Sequence, residues 1–156
     1  MSEFRVEKRR EAAEITLSTG ATVDGHFFLS GSSHGHTGPE RVGDLLNLAE
    51  GFFPFEAPNG ETSLINRAHV VKVVLPEHVI EAQLEDGYDL ATRRHVTILL
   101  SSGETVTGHV AVYRPAGHNR LSDYALVDRR FRYVEQSDRT LLIHSLHIVS
   151  LLEVTE

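Results

Sequence analysis

The stretch Ile15-Thr-Leu-Ser-Thr-Gly-Ala-Thr-Val-Asp-Gly-His26 returns later in the chain as Ile98-Leu-Leu-Ser-Ser-Gly-Glu-Thr-Val-Thr-Gly-His109. The offset is 83, and Ile15, Leu17, Ser18, Gly20, Thr22, Val23, Gly25 and His26 recur unchanged. A second block agrees: Thr62-Ser-Leu-Ile-Asn-Arg-Ala-His-Val-Val71 lies over Thr140-Leu-Leu-Ile-His-Ser-Leu-His-Ile-Val149 at offset 78. Between them Arg41-Val-Gly-Asp44 lies over Arg120-Leu-Ser-Asp123, and Phe52 over Phe131, at offset 79. Three blocks in the same order, with small deletions between them, mark two tandem copies of one unit of about 60 residues. Coincidental similarity of two hairpins in one larger barrel would not produce three agreeing blocks.

Each copy reads as β-rich. Ile15 and Leu17 alternate with Thr16 and Ser18, the period of a half-buried strand. Ser18 to Ala21 is a turn, and Thr22 to Leu29 is the return strand, with Gly25 inside it marking a bend. Gly108 repeats that bend in the second copy. After a polar loop, Thr37-Gly-Pro-Glu40 starts a short helix near residues 40–49, with Val42, Leu45, Leu46 and Ala49 on one face and Gly51 as its stop. Strands are expected at Phe52 to Glu56, Ser63 to Asn66 and Val70 to Leu75, and again at Phe131 to Glu135, Thr140 to His144 and Leu146 to Leu152. The expected fold is therefore mainly β: two tandem five-stranded barrels, each with one short helix. The expected organisation is an N-terminal segment 1–14, a first repeat 15–76, a linker 77–94 (the residues leave open whether it is helical, and Gly87 would end a helix there) and a second repeat 95–156.

Composition bounds the function. The chain has 156 residues, 40% apolar and 24% charged, as in an ordinary globular domain. Its charge of −7 disfavours non-specific binding to double-stranded DNA. It has no cysteine, which excludes disulfides, thiolate metal sites and a cysteine nucleophile. No apolar run is long enough for a membrane helix, and the N-terminus lacks a signal-peptide core, so a cytoplasmic location is expected. Protonating all ten histidines would move the charge from −7 to +3, so self-association is expected to vary between about pH 5.5 and 7.

Leu17-Ser-Thr-Gly20, Gly25, Asp44-Leu-Leu-Asn47, Leu64-Ile-Asn-Arg67 and Val70-Val-Lys-Val resemble the two signature regions of Sm-like (SH3-like) barrels. Uncharacterised bacterial Sm-fold domains are the nearer likeness. The resemblance implies assembly into rings and contact with single-stranded RNA. Asp44, Asn47, Asn66 and Arg67 would make that contact in the first copy. The second copy has Leu126 at the position of Asn47, and His144-Ser145 at the positions of Asn66-Arg67.

Other candidates come from the residues themselves. Between Arg93 and Arg139 eight arginines face five acids, and Arg129, Arg130 and Arg132 lie beside Phe131 and Tyr133, the composition of a single-strand stacking platform. The same charges also suit a solvated strand edge. His34 and His36 could share a divalent metal, though without an evident third ligand. His26 with His109, and His69 with His147, recur between copies. No phosphate loop, dinucleotide fingerprint, nucleophile elbow or metalloprotease helix is present. The expected function is a non-enzymatic binding or scaffold protein that needs no cofactor and self-associates through strand edges, with the apolar strands Val70–Leu75 and Ile148–Val154 free to pair copy with copy or chain with chain. The alternatives are an Sm-like module for single-stranded RNA and a histidine-based metal-binding or sensor protein.

Overall fold

The computed structural model describes residues 8–33, 36, 38–113, 121–125 and 130–155. Both halves follow the same order of elements. The first runs β1 (Lys8–Leu17), β2 (Thr22–Ser30), α1 (Val42–Leu48), β3 (Phe52–Glu56), β4 (Thr62–Asn66), a 3-10 turn at Arg67–His69, and β5 (Val70–Val74). The second runs β6 (Thr92–Leu100), β7 (Thr105–Val112), α2 (Leu121–Ala125), β8 (Phe131–Glu135), β9 (Thr140–His144), a 3-10 turn at Ser145–His147, and β10 (Ile148–Glu153). β1 begins seven residues before the repeat recognised in sequence, because Lys8 to Glu14 pair with Asp24 to Ser30 of β2. The segment between the halves, left open as helix or not, forms two 3-10 turns, Ala82–Leu84 and Tyr88–Leu90, and no α-helix.

The expected two closed barrels are not what the chain forms. All ten strands lie in one antiparallel, unclosed sheet, ordered β10-β6-β7-β8-β9-β5-β1-β2-β3-β4. The physical reason is that β5 does not turn back on β4 of its own half. It pairs instead with β9, in the register Lys72↔Ile143, Val73↔Leu142 and Val74↔Leu141. The two halves are thus joined edge to edge, and β4 and β10 remain as the outer edges.

Pairing is sparse where β2 meets β3 and where β7 meets β8. Only His26↔Glu56 and Phe27↔Phe55 pair at the first place, and His109↔Glu135 at the second. Glycine is required at both. A Cβ on Gly25 would overlap the Glu56 carbonyl, and one on Gly108 would lie 2.8 Å from the Glu135 oxygen.

Phe27, Phe53 and Phe55 form the aromatic centre of the first core, with ring centroids 5.4 and 5.1 Å from Phe27. Each such buried ring contributes about 2–3 kcal/mol. The second core is aliphatic, built on Val96, Ile98, Leu100, Val110 and Ile143. Neither core is made by one half alone. Phe131 and Leu142 of the second half enter the first core, and Val71 of the first half enters the second.

Candidate assembly interface

The joint between β5 and β9 is the most elaborated surface of the fold. Its backbone ladder is extended by Leu75, whose N–H donates to the Thr140 carbonyl at 3.0 Å. Side chains fasten it at four further places. Asn47 on α1 clamps the main chain of Phe131, accepting from its N–H at 2.8 Å and donating to its carbonyl at 3.1 Å. Lys72 bridges to Glu104 at 2.7 Å, and Arg130 reaches Glu50 at 3.2 Å. His147 donates from Nε2 to the Ala68 carbonyl at 2.8 Å.

Glu81 locks the same joint from the connecting segment. It is buried, and its carboxylate accepts from the N–H of Val42 at 2.8 Å, the N–H of Gly43 at 3.1 Å and the Tyr133 hydroxyl at 2.8 Å. Two orphan donors of the α1 N-terminus and a phenol of β8 are satisfied by one side chain. Burial nevertheless pushes the Glu81 carboxyl above its ordinary range, and pushes the Tyr133 phenol up further. The expected start of the helix differs accordingly. Arg41 precedes its first residue, Asp44 accepts from the Arg41 N–H at 2.8 Å, and Thr37, the expected cap, lies outside the described residues.

The duplication makes the outer edges readable. Every residue of β9 is buried, whereas no residue of β4 is. Leu142 is 0% exposed, while its counterpart Leu64 is 67% exposed. Val71 on β5 is 0% exposed, and its counterpart Val149 on β10 is 62% exposed. Phe131 is buried and its counterpart Phe52 is exposed. Each surface that the joint covers has an uncovered twin at the opposite end of the sheet. Among the described residues neither edge has a further strand partner, and such a pair of edges, each exposing large apolar side chains, is a template for strand pairing.

The residues expected to touch RNA serve inside the fold. Asp44 accepts from the Arg41 N–H and meets His36 Nε2 at 2.6 Å. Asn47 holds Phe131, and Asn66 caps the 3-10 turn by accepting from the Ala68 N–H at 3.0 Å. Arg67 is buried, and its guanidinium donates to the carbonyls of Phe52 and Leu45, both at 2.9 Å. Burial lowers its pKa, with Arg130 adding to the effect. Arg130 is half-exposed at the joint, and Arg129 lies outside the described residues.

One exchange between the copies escapes an alignment. The second copy has Ser145 at the position of Arg67, yet Arg132, at the position of Phe53, fills the same role. Its guanidinium donates to Ser145 Oγ at 2.8 Å and to the carbonyl of Tyr124, the counterpart of Leu45. It also lies 4.6 Å from the Tyr124 ring centroid, as Arg67 lies 5.5 Å from that of Phe53. Both copies therefore bury one guanidinium against a helical carbonyl, delivered from different strand positions.

The histidines divide by role. His144 accepts from the Leu146 N–H through Nδ1 at 3.0 Å. Burial, with lesser repulsion from His147 and Arg130, pushes it down to about 4. Its neutral form favours the fold fully above the ordinary imidazole range. That contribution falls as pH drops from 6.5 toward about 4, where only the unfolded chain takes up the proton. His144 is thus withdrawn from the charge swing expected near neutrality. His26 lines an open hollow of about 420 Å³ with Asp24, Glu77 and Arg139, and His69 is not part of it. Of the proposed metal pair, His36 is hydrogen-bonded to Asp44, and His34 lies outside the described residues. Among the described residues no three His, Cys, Asp or Glu side chains form a metal-binding group, and no helix is long and apolar enough to cross a membrane.

The chain matches no family model, no curated protein and no solved structure.

Proposed function

We propose that the protein is a self-assembling scaffold whose copies join head to tail, β10 of one chain pairing with β4 of the next. The single observation that carries this reading is the β5–β9 joint, since the same two surfaces, one repeat out of step, are what β10 and β4 leave uncovered. Transposing the joint by one repeat gives the intermolecular register Ser150↔Ile65, Leu151↔Leu64 and Leu152↔Ser63. The backbone directions agree with this register. Val154 N–H is turned toward β6, so Glu153 N–H points outward from β10. Glu61 carbonyl is turned toward β3, so Thr62 carbonyl points outward from β4. Glu153 N–H would therefore meet Thr62 carbonyl as Leu75 N–H meets that of Thr140.

A contact of this kind is heterologous, so it continues into a ring when the rotation closes and into a filament when it does not. Single-stranded RNA binding has less support, because Asp44, Asn47, Asn66 and Arg67 each hydrogen-bond within the chain. Sedimentation of the full chain across micromolar to millimolar concentration tests the reading. Concentration-dependent growth beyond one chain is the expected result, and a strict monomer throughout would overturn it.

A further inference from the structure

The joint inside the chain is held by both backbone pairing and side chains, and the side-chain fastenings can be followed one by one to the outer edges. Asn47, which clamps Phe131, has Leu126 at its counterpart position. Lys72 and Glu104 have Ser150 and Ala21 at theirs. Arg130 has Gly51, and its partner Glu50 has Arg129. None of these fastenings can be rebuilt between chains. The histidine contact can: His147 corresponds to His69, and its acceptor is a main-chain carbonyl that any residue supplies.

The geometry around both histidines is already the same. His147 is held by Ser101, whose N–H donates to the His147 carbonyl at 2.8 Å and whose Oγ lies 2.8 Å from Nδ1. His69 is held by Ser18 in the same two ways, at 2.8 Å and 2.7 Å. In the joint, Nε2 must be the donor because its partner is a carbonyl, so Nδ1 of a neutral ring accepts from the serine. The serine therefore fixes ring orientation and tautomer together. His69 is exposed, with its ring oriented by Ser18 in the same way.

Resting on the head-to-tail reading, we propose that His69 is the residue that latches one chain to the next, its Nε2–H donating to the main-chain carbonyl of Leu146 in the neighbouring chain. Leu146 is the counterpart of Ala68 and precedes β10 as Ala68 precedes β5. Because the other polar fastenings have no counterparts, this hydrogen bond sets the register of an otherwise apolar and main-chain contact. Ser18 is a positioning residue for it. One neutral hydrogen bond contributes enough to change an association constant several-fold.

Sedimentation equilibrium of the full chain, wild type and variants, reads the latch. His69→Ala is expected to weaken self-association about five- to tenfold, and Ser18→Ala to weaken it by a smaller factor. His69→Gln keeps a side-chain N–H donor and is expected to restore association to within about twofold of wild type. Thermal unfolding of the dissociated chain is expected to be unchanged by all three, which separates the latch from a folding defect. Wild-type assembly with undiminished assembly of His69→Ala would overturn the latch alone, as would a His69→Gln variant as weak as His69→Ala. A monomeric wild type would overturn the head-to-tail reading and the latch with it.

Discussion

Leu64→Asp is expected to leave the folded chain as stable as wild type and to abolish the proposed assembly, whereas Leu142→Asp, the same change one repeat later, is expected to prevent folding. Leu142 is fully buried within the first core, where β9 meets β5. A carboxylate placed there has no cationic partner and no water. The cost of burying it, several kcal/mol, approaches the whole stability of a domain. Leu64 stands 67% exposed on the outer edge β4, so in the isolated chain an aspartate there meets solvent, and the change is expected within about 0.5 kcal/mol. In an assembled pair the same aspartate would lie opposite Leu151 of the next chain and carry the desolvation cost. Circular dichroism melts and sedimentation of the two variants side by side check both halves of this expectation. Loss of fold in Leu64→Asp would show that β4 is already covered within one chain.

Glu81→Ala is expected to destabilise the chain by about 3 kcal/mol. The estimate follows from three donors losing their acceptor at once in a buried place: the N–H groups of Val42 and Gly43, and the Tyr133 hydroxyl. The alanine also leaves a small void, since Gly43 packs so closely on Tyr133 that a Cβ would overlap the phenol oxygen and displacement of either element is confined. Glu81→Gln keeps an acceptor oxygen and avoids the burial of charge that raises the Glu81 carboxyl, so it is expected to cost much less. Because a raised carboxyl favours the fold most while protonated, the glutamine variant is expected to gain relative to wild type as pH rises above the ordinary carboxylate range. Denaturant unfolding at two pH values measures both effects.

What the sequence made legible follows from the repeat itself. Ile15 to His26 against Ile98 to His109 identifies paired strands and a shared turn, and both are present, while Gly25 and Gly108 each lie close against the backbone of the next strand. Val42, Leu45 and Leu46 do form the buried face of a helix, and Gly51 follows it with φ of 89°. The association of the halves was legible only as one of two open choices, pairing copy with copy or chain with chain through the apolar edges. An edge strand such as Val70–Val74 has the same apolar pattern whether it closes its own barrel or pairs with another strand, and only its partner distinguishes the two cases. The structural roles of the candidate site residues were hidden for a related reason. Asn47 and Arg67 are polar residues near chain reversals, which is where ligand-binding residues also sit, and sequence does not reveal that a main-chain group 84 residues away receives Asn47. Arg132 escaped because its equivalence to Arg67 is one of space and not of alignment position. The recurrence of Ser18 and His69 as Ser101 and His147 was the available signal for the latch, and it needed the joint to give it meaning.

Site-directed cross-linking tests the central claim most directly, because the native chain has no cysteine to confuse it. In the joint, Leu75 and Thr140 form a hydrogen-bonded pair, so the adjacent Val74↔Leu141 pair is the close, non-hydrogen-bonded kind. Its intermolecular counterpart is Leu152↔Ser63, where Cα atoms would lie about 4.5 Å apart, within disulfide range. The double variant Ser63→Cys with Leu152→Cys is predicted to yield a ladder of disulfide-linked chains on oxidation. Leu64→Cys with Leu152→Cys, one residue out of register and on the opposite face, is predicted to yield none. No ladder from the first variant, or equal ladders from both, would contradict head-to-tail pairing of β10 with β4.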